Sequence, residues 1–234
     1  MSLSELPLTV GSGFEYQTDS EEDESGLPFL VEWGFTDVLK LTIEPNHVMI
    51  HLKPGGYIKG WGDIETSLTY DALEETRYRP GFGMEGLIKW PTATDRRLST
   101  GRADFTLGGI ASKELGPVDM DANLDYTFVG SPSGVKSQNR MELSLAAEWH
   151  LNPLLDLECE LVTNFGSAGG FTGKPGTIRR SAVASEENGS EFEGTLGVAE
   201  HFGKYLKLEE GMVLVSDGSW QAVVAWEWDF GGDQ

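Results

Sequence analysis

Four histidines, one cysteine and 38 acidic residues are the side chains with which this chain could do acid–base, nucleophilic or metal chemistry. His47 and His51 (PNHVMIHLK) have the i, i+4 spacing that sets two imidazoles on one face of a helix, where they can clamp a metal ion. Their segment reads as strand or loop, and on an extended chain the spacing loses that meaning. His150 and His201 fall at strand ends beside short turns and read as interfacial polar residues. A Ser–His pair with an orienting carboxylate can assemble from distant strands, yet nothing in the local sequence favours one. Cys159 stands alone, so neither an internal disulfide nor a zinc-finger spacing exists. The glycine-rich GSAGGFTGKPG lacks the strand-to-helix setting of a phosphate loop and reads as a flexible surface loop.

Carboxylates at alternate positions are the commonest constellation: Asp119 with Asp121, and Asp156 with Glu158 and Glu160. As pairs they could exchange protons, and as hard oxygen donors they could hold calcium. They recur, however, on one face of nearly every extended segment, which makes them a lining rather than a reaction centre. No catalytic residue, cofactor or metal is expected, and the chain does not read as an enzyme.

The elements that carry these residues have a period of two, sustained from end to end. In the last of them, Trp220, Ala222, Val224, Trp226, Trp228 and Phe230 oppose Gln221, Val223, Ala225, Glu227 and Asp229. Over 118–128, Val118, Met120, Ala122, Leu124, Tyr126 and Phe128 oppose Asp119, Asp121, Asn123, Asp125 and Thr127. Segments 141–149 and 155–165 repeat the pattern, with Leu143, Leu145 and Trp149 against Glu142 and Glu148, and Leu157 and Leu161 against Asp156, Glu158 and Glu160. Adding 8–16, 29–33, 39–43, 64–70, 82–90, 103–111, 192–202 and 206–214 gives about twelve strands, most near the ~10-residue span of a tilted membrane strand.

Three features separate a membrane barrel from a soluble sandwich, which also alternates. The apolar face ends in aromatics at both levels. Trp90, Phe128, Phe165, Phe192 and Trp220 mark one end, and Trp33, Tyr70, Phe82, Trp149, Phe202, Trp228 and Phe230 the other, as two girdles around an aliphatic band. Short links (GFTD 34–37, KELG 113–116, LNPL 151–154, FGKY 202–205) alternate with longer polar ones (DSEEDESG 19–26, PTATDRRLSTG 91–101, SPSGVKSQN 131–139 and a stretch from about Gly166 to Ser190). The polar face is acidic. Glu32, Glu44, Glu65, Glu85, Asp104, Asp119, Asp121, Asp125, Glu142, Glu148, Asp156, Glu158, Glu160 and Glu227 are expected to line a lumen, with Lys40, Lys89 and Lys207 among them. Glu210 breaks the rule by falling on the apolar face of 206–214; a β-bulge near Glu209–Gly211 would turn it inward. Glu200 does so more mildly, near a strand end.

The net charge of −21 and pI near 4.4 exclude nucleic acid as a partner, since phosphate contacts need a basic face. No stretch approaches the ~18 consecutive apolar residues of a membrane-spanning helix. The mean hydropathy of −0.27 is that of a soluble protein, but a barrel hides its apolar residues at every second position. No signal peptide is visible, and Met1, Ser2 and Leu3 need not be native residues.

GWGDIETSLTY (60–70), RLSTGRADFTLGGIASKELGPVDMDANLDYTFVG (97–130) and the turn GFTDVLKL (34–41) resemble the outer-membrane barrel family of transporters tied to the meta-pathway of phenol degradation. Gly60, Gly62 and Asp63, with Thr100, Gly101, Asp104 and Phe105, are its most recognisable parts, and the likeness runs from about residue 8 to 230. The resemblance implies an outer-membrane location and passage of small, including aromatic, molecules; it carries over no substrate-binding residue. Such barrels commonly end on an aromatic residue, whereas here GGDQ follows Phe230.

The expectation is thus an all-β protein: a single closed antiparallel transmembrane β-barrel of about twelve strands with short periplasmic turns and longer extracellular loops. Residues 1–6 and 231–234 are tails around a barrel at 7–230. Its partners are the lipid bilayer, an unidentified small molecule or ion, and the outer-membrane assembly machinery during biogenesis. The function read first is passive passage through an acidic, cation-preferring lumen. Its rival is a non-conducting scaffold or binding platform, with 47–60 (HVMIHLKPGGYIKG) folded inward as a plug.

Overall fold

The computed structural model describes residues 7–18, 22–132, 139–165, 191–216 and 218–230. The tails at 1–6 and 231–234 and the stretch 166–190 lie outside the described residues. Fourteen strand segments make the wall: β1 (Leu8–Thr18), β2 (Glu22–Thr36), β3 (Leu39–Glu44), β4 (Asn46–Leu52), β5 (Tyr57–Trp61), β6 (Ile64–Leu73), β7 (Gly81–Trp90), β8 (Asp104–Glu114), β9 (Val118–Phe128), β10 (Arg140–Asn152), β11 (Leu155–Phe165), β12 (Glu191–Phe202), β13 (Leu206–Val215) and β14 (Trp220–Asp229). Pro45 divides β3 from β4, and Gly62–Asp63 divide β5 from β6. Each divided pair acts as one wall strand, so the fourteen segments form a closed twelve-stranded antiparallel barrel. Closure comes from β1, which pairs with β14 (Val10 opposite Trp228) and with β2 (Leu8 opposite Trp33).

Period-two alternation becomes two faces. Outside stand Met120, Leu124, Leu145, Trp149, Leu157, Leu161, Trp226 and Trp228, all exposed. Inside, Glu85, Asp104, Asp125, Glu142 and Asp156 are buried. A soluble sandwich would invert these environments, because its large apolar side chains fill the core. All twelve girdle residues but Trp33 are exposed on the outer face; Trp33 is half-buried against Phe35 at 4.3 Å between ring centroids.

The first polar link is shorter than expected. Of DSEEDESG, residues 22–26 are the start of β2, with Glu24 opposite Ile50 of β4. Acidic runs favour solvated loops, but alternation lets Glu24 turn inward while Asp23 turns outward to Lys53 Nζ at 2.8 Å. Residues 47–60 are not an inward-folded loop but the β4–β5 hairpin, part of the wall itself. Val48, Ile50 and Ile58 on its inner face form a small buried apolar cluster with Leu52 and Leu98. His47 and His51 point outward, ring-to-ring with Trp61 and Tyr57 at 5.3 and 4.7 Å.

Glu210 is not turned inward. β13 keeps unbroken register with β12 (Val198 opposite Glu210) and with β14 (Glu210 opposite Val224). A bulge there would interrupt both ladders, and the inward position is already taken by Glu209, 2.7 Å from Lys207. Glu210 therefore faces lipid, exposed between Leu208 and Met212. Glu200 also faces outward, close to the turn before β13.

Two measurements follow. Replacing Glu210→Leu removes a carboxylate from the lipid-facing band and should raise the stability of the vesicle-inserted barrel by about 1–2 kcal/mol; an unchanged or lowered urea midpoint contradicts its placement. Cys159, exposed midway along the outer face of β11, should resist a membrane-impermeant maleimide in liposomes and react readily once the chain is unfolded in urea.

Candidate functional site

The inner face collects carboxylates from every wall strand. Glu15 (β1), Glu24 and Glu32 (β2), Glu44 (β3), Glu65 (β6), Glu85 (β7) and Asp104 (β8) share the inner parity of their strands. Asp119, Asp121 and Asp125 (β9), Glu142 and Glu148 (β10), and Asp156, Glu158 and Glu160 (β11) continue the ring. Glu193 (β12), Glu209 (β13) and Glu227 (β14) complete it. Cations are few. Lys40 pairs with Glu32 at 3.1 Å, Lys89 with Asp104, and Lys207 with both Glu158 (3.0 Å) and Glu209 (2.7 Å). Glu15, Glu24, Glu193, Glu209 and the buried cation Arg140 were not singled out from the sequence. Strand parity alone would have found Glu209, which alternates with Leu206 and Leu208.

The register sets like charges side by side. Asp119 stands opposite Glu148, and Glu148 opposite Glu158, so three adjacent strands present a row of carboxylates. Like charges directly opposite destabilise a sheet. The row is offset by Lys207 and by the two histidines read from sequence as interfacial, which both turn into the barrel. His150 sits between Asp119 (Nε2 to Oδ2, 3.0 Å) and Asp156 (Nδ1 to Oδ1, 3.0 Å). His201 reaches the second Asp156 oxygen from β12 at 2.6 Å. A register shift between His150 and Asn152 lies beside this cluster, at the end where turns 153–154 and 203–205 connect the strands. Two histidines 51 positions apart become neighbours only through barrel register, which no local spacing announces.

At the opposite, loop end, Gly60, Gly62 and Asp63 have a structural task. Asp63 accepts from the Ala93 amide (3.0 Å) and from the Ser99 hydroxyl (2.6 Å). Trp61 and Thr94 exchange backbone contacts, the Thr94 amide donating to the Trp61 carbonyl at 2.9 Å and the Trp61 amide to Thr94 Oγ1 at 2.9 Å. A Cβ on Gly60 would lie 2.3 Å from that same Thr94 oxygen, so only glycine lets the loop lie down here. Asp95 caps the 3-10 turn Arg96–Leu98 by accepting from the Arg97 amide, and the Arg97 guanidinium bonded to the same carboxyl helps to lower its pKa to about 2. The motif thus clasps the loop after β7 to the wall. Asp104 does the same for the next loop, accepting from the Gly130 amide at 2.8 Å.

No protein-family model matches the chain, and no curated protein does. Among solved structures, an outer-membrane channel from Pseudomonas putida F1 superposes with a TM-score of 0.66 at 14% identity, covering 98% of this chain and 97% of that one. The NanC porin superposes at 0.62 with 11% identity over 94% and 98% of the two chains. The KdgM porin, in complex with disordered oligogalacturonate, does so at 0.59 with 7% identity over 93% and 98%. These likenesses are of fold. With the exposed apolar exterior and the closed ladder they define a β-barrel of the bacterial outer membrane, similar in architecture to channels and porins.

Asp63→Ala leaves the Ala93 amide and the Ser99 hydroxyl without their partner, at roughly 1 kcal/mol per lost bond. Tryptic cleavage at Arg96 or Arg97 in the folded barrel should accelerate on the order of 10-fold if it follows the population of the released loop. An unchanged cleavage rate would show that the clasp does not depend on this carboxylate.

Proposed function

We propose that the barrel is a passive outer-membrane channel for small solutes, with a water-filled lumen whose carboxylates favour cations and cationic or neutral molecules over anions. One observation carries this reading: each of the twelve wall strands places at least one carboxylate on its inner face, against Lys40, Lys89, Arg140 and Lys207. A ring of one sign in a low-dielectric wall concentrates counter-ions and repels co-ions. The architectural likeness to channels and porins supports the channel role. The acidic wall also argues against a polyanionic cargo of the kind that the KdgM porin holds. The sequence resemblance to barrels of the phenol meta-pathway makes small aromatic solutes the first compounds to assay.

Planar-bilayer recording of the refolded chain under a salt gradient tests this directly. The wild type should show a cation-selective reversal potential that shrinks at high salt, where the Debye length falls toward ~3 Å at 1 M. The triple variant Asp121→Asn, Glu142→Gln, Glu158→Gln should show a smaller reversal potential while remaining folded, because charge is removed and polarity kept. An unchanged reversal potential sinks the cation reading, and a barrel with no conductance favours the scaffold reading.

A further inference from the structure

We propose that the turn-end mouth of the barrel is a binding site for one borderline divalent transition-metal ion, Zn2+ being the test case, with Glu148, His150 and Asp156 as its ligands. One donor atom from each of the three lies within 4.8 Å of the other two. His150 Nδ1 is 3.0 Å from Asp156 Oδ1 and 3.8 Å from Glu148 Oε1. Tetrahedral coordination with bonds of about 2.0–2.2 Å puts neighbouring ligand atoms roughly 3.3–3.6 Å apart, a spacing that the two His150 distances straddle.

The surroundings are arranged as metal ligands require. His150 Nε2 and Nδ1 each lie 3.0 Å from a carboxylate oxygen, of Asp119 and Asp156; with Nε2 donating to Asp119, a bound ion would take the Nδ1 lone pair in place of a proton shared with Asp156. The second oxygen of Asp156 is held by His201 Nε2 at 2.6 Å, which orients the carboxylate from the far side. One oxygen each of Glu148 and Asp156 lies within 4.8 Å of the other, a juxtaposition of like charges that calls for a shared proton or a cation between them. The Lys207 ammonium is bonded to Glu158 and Glu209. Asp156 is buried while His150 is exposed, so the site has a closed floor and an open side where water can complete the coordination. One imidazole and two carboxylates suit zinc, nickel or copper rather than calcium or magnesium, which take oxygen donors alone. A doubly protonated His150 bridging Asp119 and Asp156 would produce the same distances without metal, and the experiment separates the two.

The untagged full chain, refolded in detergent and stripped with chelator, is titrated with Zn2+ by calorimetry and with Co2+ by visible absorption. Neither readout depends on conductance. The expected result is one equivalent of Zn2+ bound and Co2+ d–d bands of a four- or five-coordinate site. Affinity should fall at least 100-fold in His150→Ala and in Glu148→Gln, and about 10–100-fold in Asp119→Asn, which touches only the supporting bond. The double variant His47→Ala, His51→Ala should bind as the wild type does. Heat-modifiable gel mobility confirms that each variant is a folded barrel; should His150→Ala not fold, His150→Gln and the wild-type titration carry the test. Absence of one-equivalent binding by the wild type at millimolar Zn2+ overturns the proposal. So does binding that survives unchanged in folded His150 and Glu148 variants, or that is lost with His47 and His51.

Discussion

Inside a bilayer no water is on hand to satisfy a backbone amide, and this chain depends on meeting that condition all the way round. The seam between β1 and β14 is where it could fail, because the two strands come from opposite ends of the sequence. Their ladder runs without interruption from Thr9–Asp229 to Thr18–Trp220. Gly13 shows how closely the backbones approach there: a Cβ on it would lie 2.7 Å from the Val224 carbonyl oxygen. Once the seam is closed, each strand must send alternate side chains to lipid and to the interior, and the aromatic rims and the inner carboxylates both follow.

Crowding carboxylates onto one inner surface has a cost that the fold meets locally rather than by adding cations everywhere. Where Asp119, Glu148 and Glu158 stand in a row, Lys207 and two imidazoles converge on the same few oxygens. At the loop end Asp63 and Asp104 accept from backbone amides, Ala93 for one and Gly130 for the other, and so hold loops down, Asp104 keeping its second oxygen for Lys89. The same residue type thereby serves as lining, as clasp and as part of the proposed ligand shell, according to what its strand register brings opposite.

Much of this was legible in the sequence because lipid enforces a strict period. Trp226–Glu227–Trp228 can face only one way each, and the neighbouring strands agree. What escaped did so for physical reasons. The β4–β5 hairpin carries Val48, Ile50 and Ile58 on its inner face, so apolar residues lie on both sides and the alternation is blurred. The acidic run at 22–26 has a loop's composition, yet Glu24 and Asp23 take opposite faces of a strand. Glu210 suggested a bulge because a carboxylate in lipid is costly, but two continuous ladders outweigh one misplaced charge. The meeting of His150 and His201 depends on three strands being in register, information that no single segment contains.

The long second strand has a further effect at the turn end of the barrel. β2 spans 15 residues against 10 in β14, and the extra length lies almost wholly there: Thr18 stands opposite both Asp23 and Trp220, while Trp33–Thr36 run on past Glu32, which Thr9 links to Asp229. At ~3.3 Å per residue, those residues carry the wall roughly 13 Å further along the strand direction. Paired with Leu39–Leu41 of β3, they make a raised lip on one side of that mouth. Lys40, opposite Gly34 on the lip, reaches Glu32 at 3.1 Å. The row of Asp119, Glu148 and Glu158 stands at the same end on the far side of the barrel, so one rim carries a matched charge pair on its raised side and crowded carboxylates across from it.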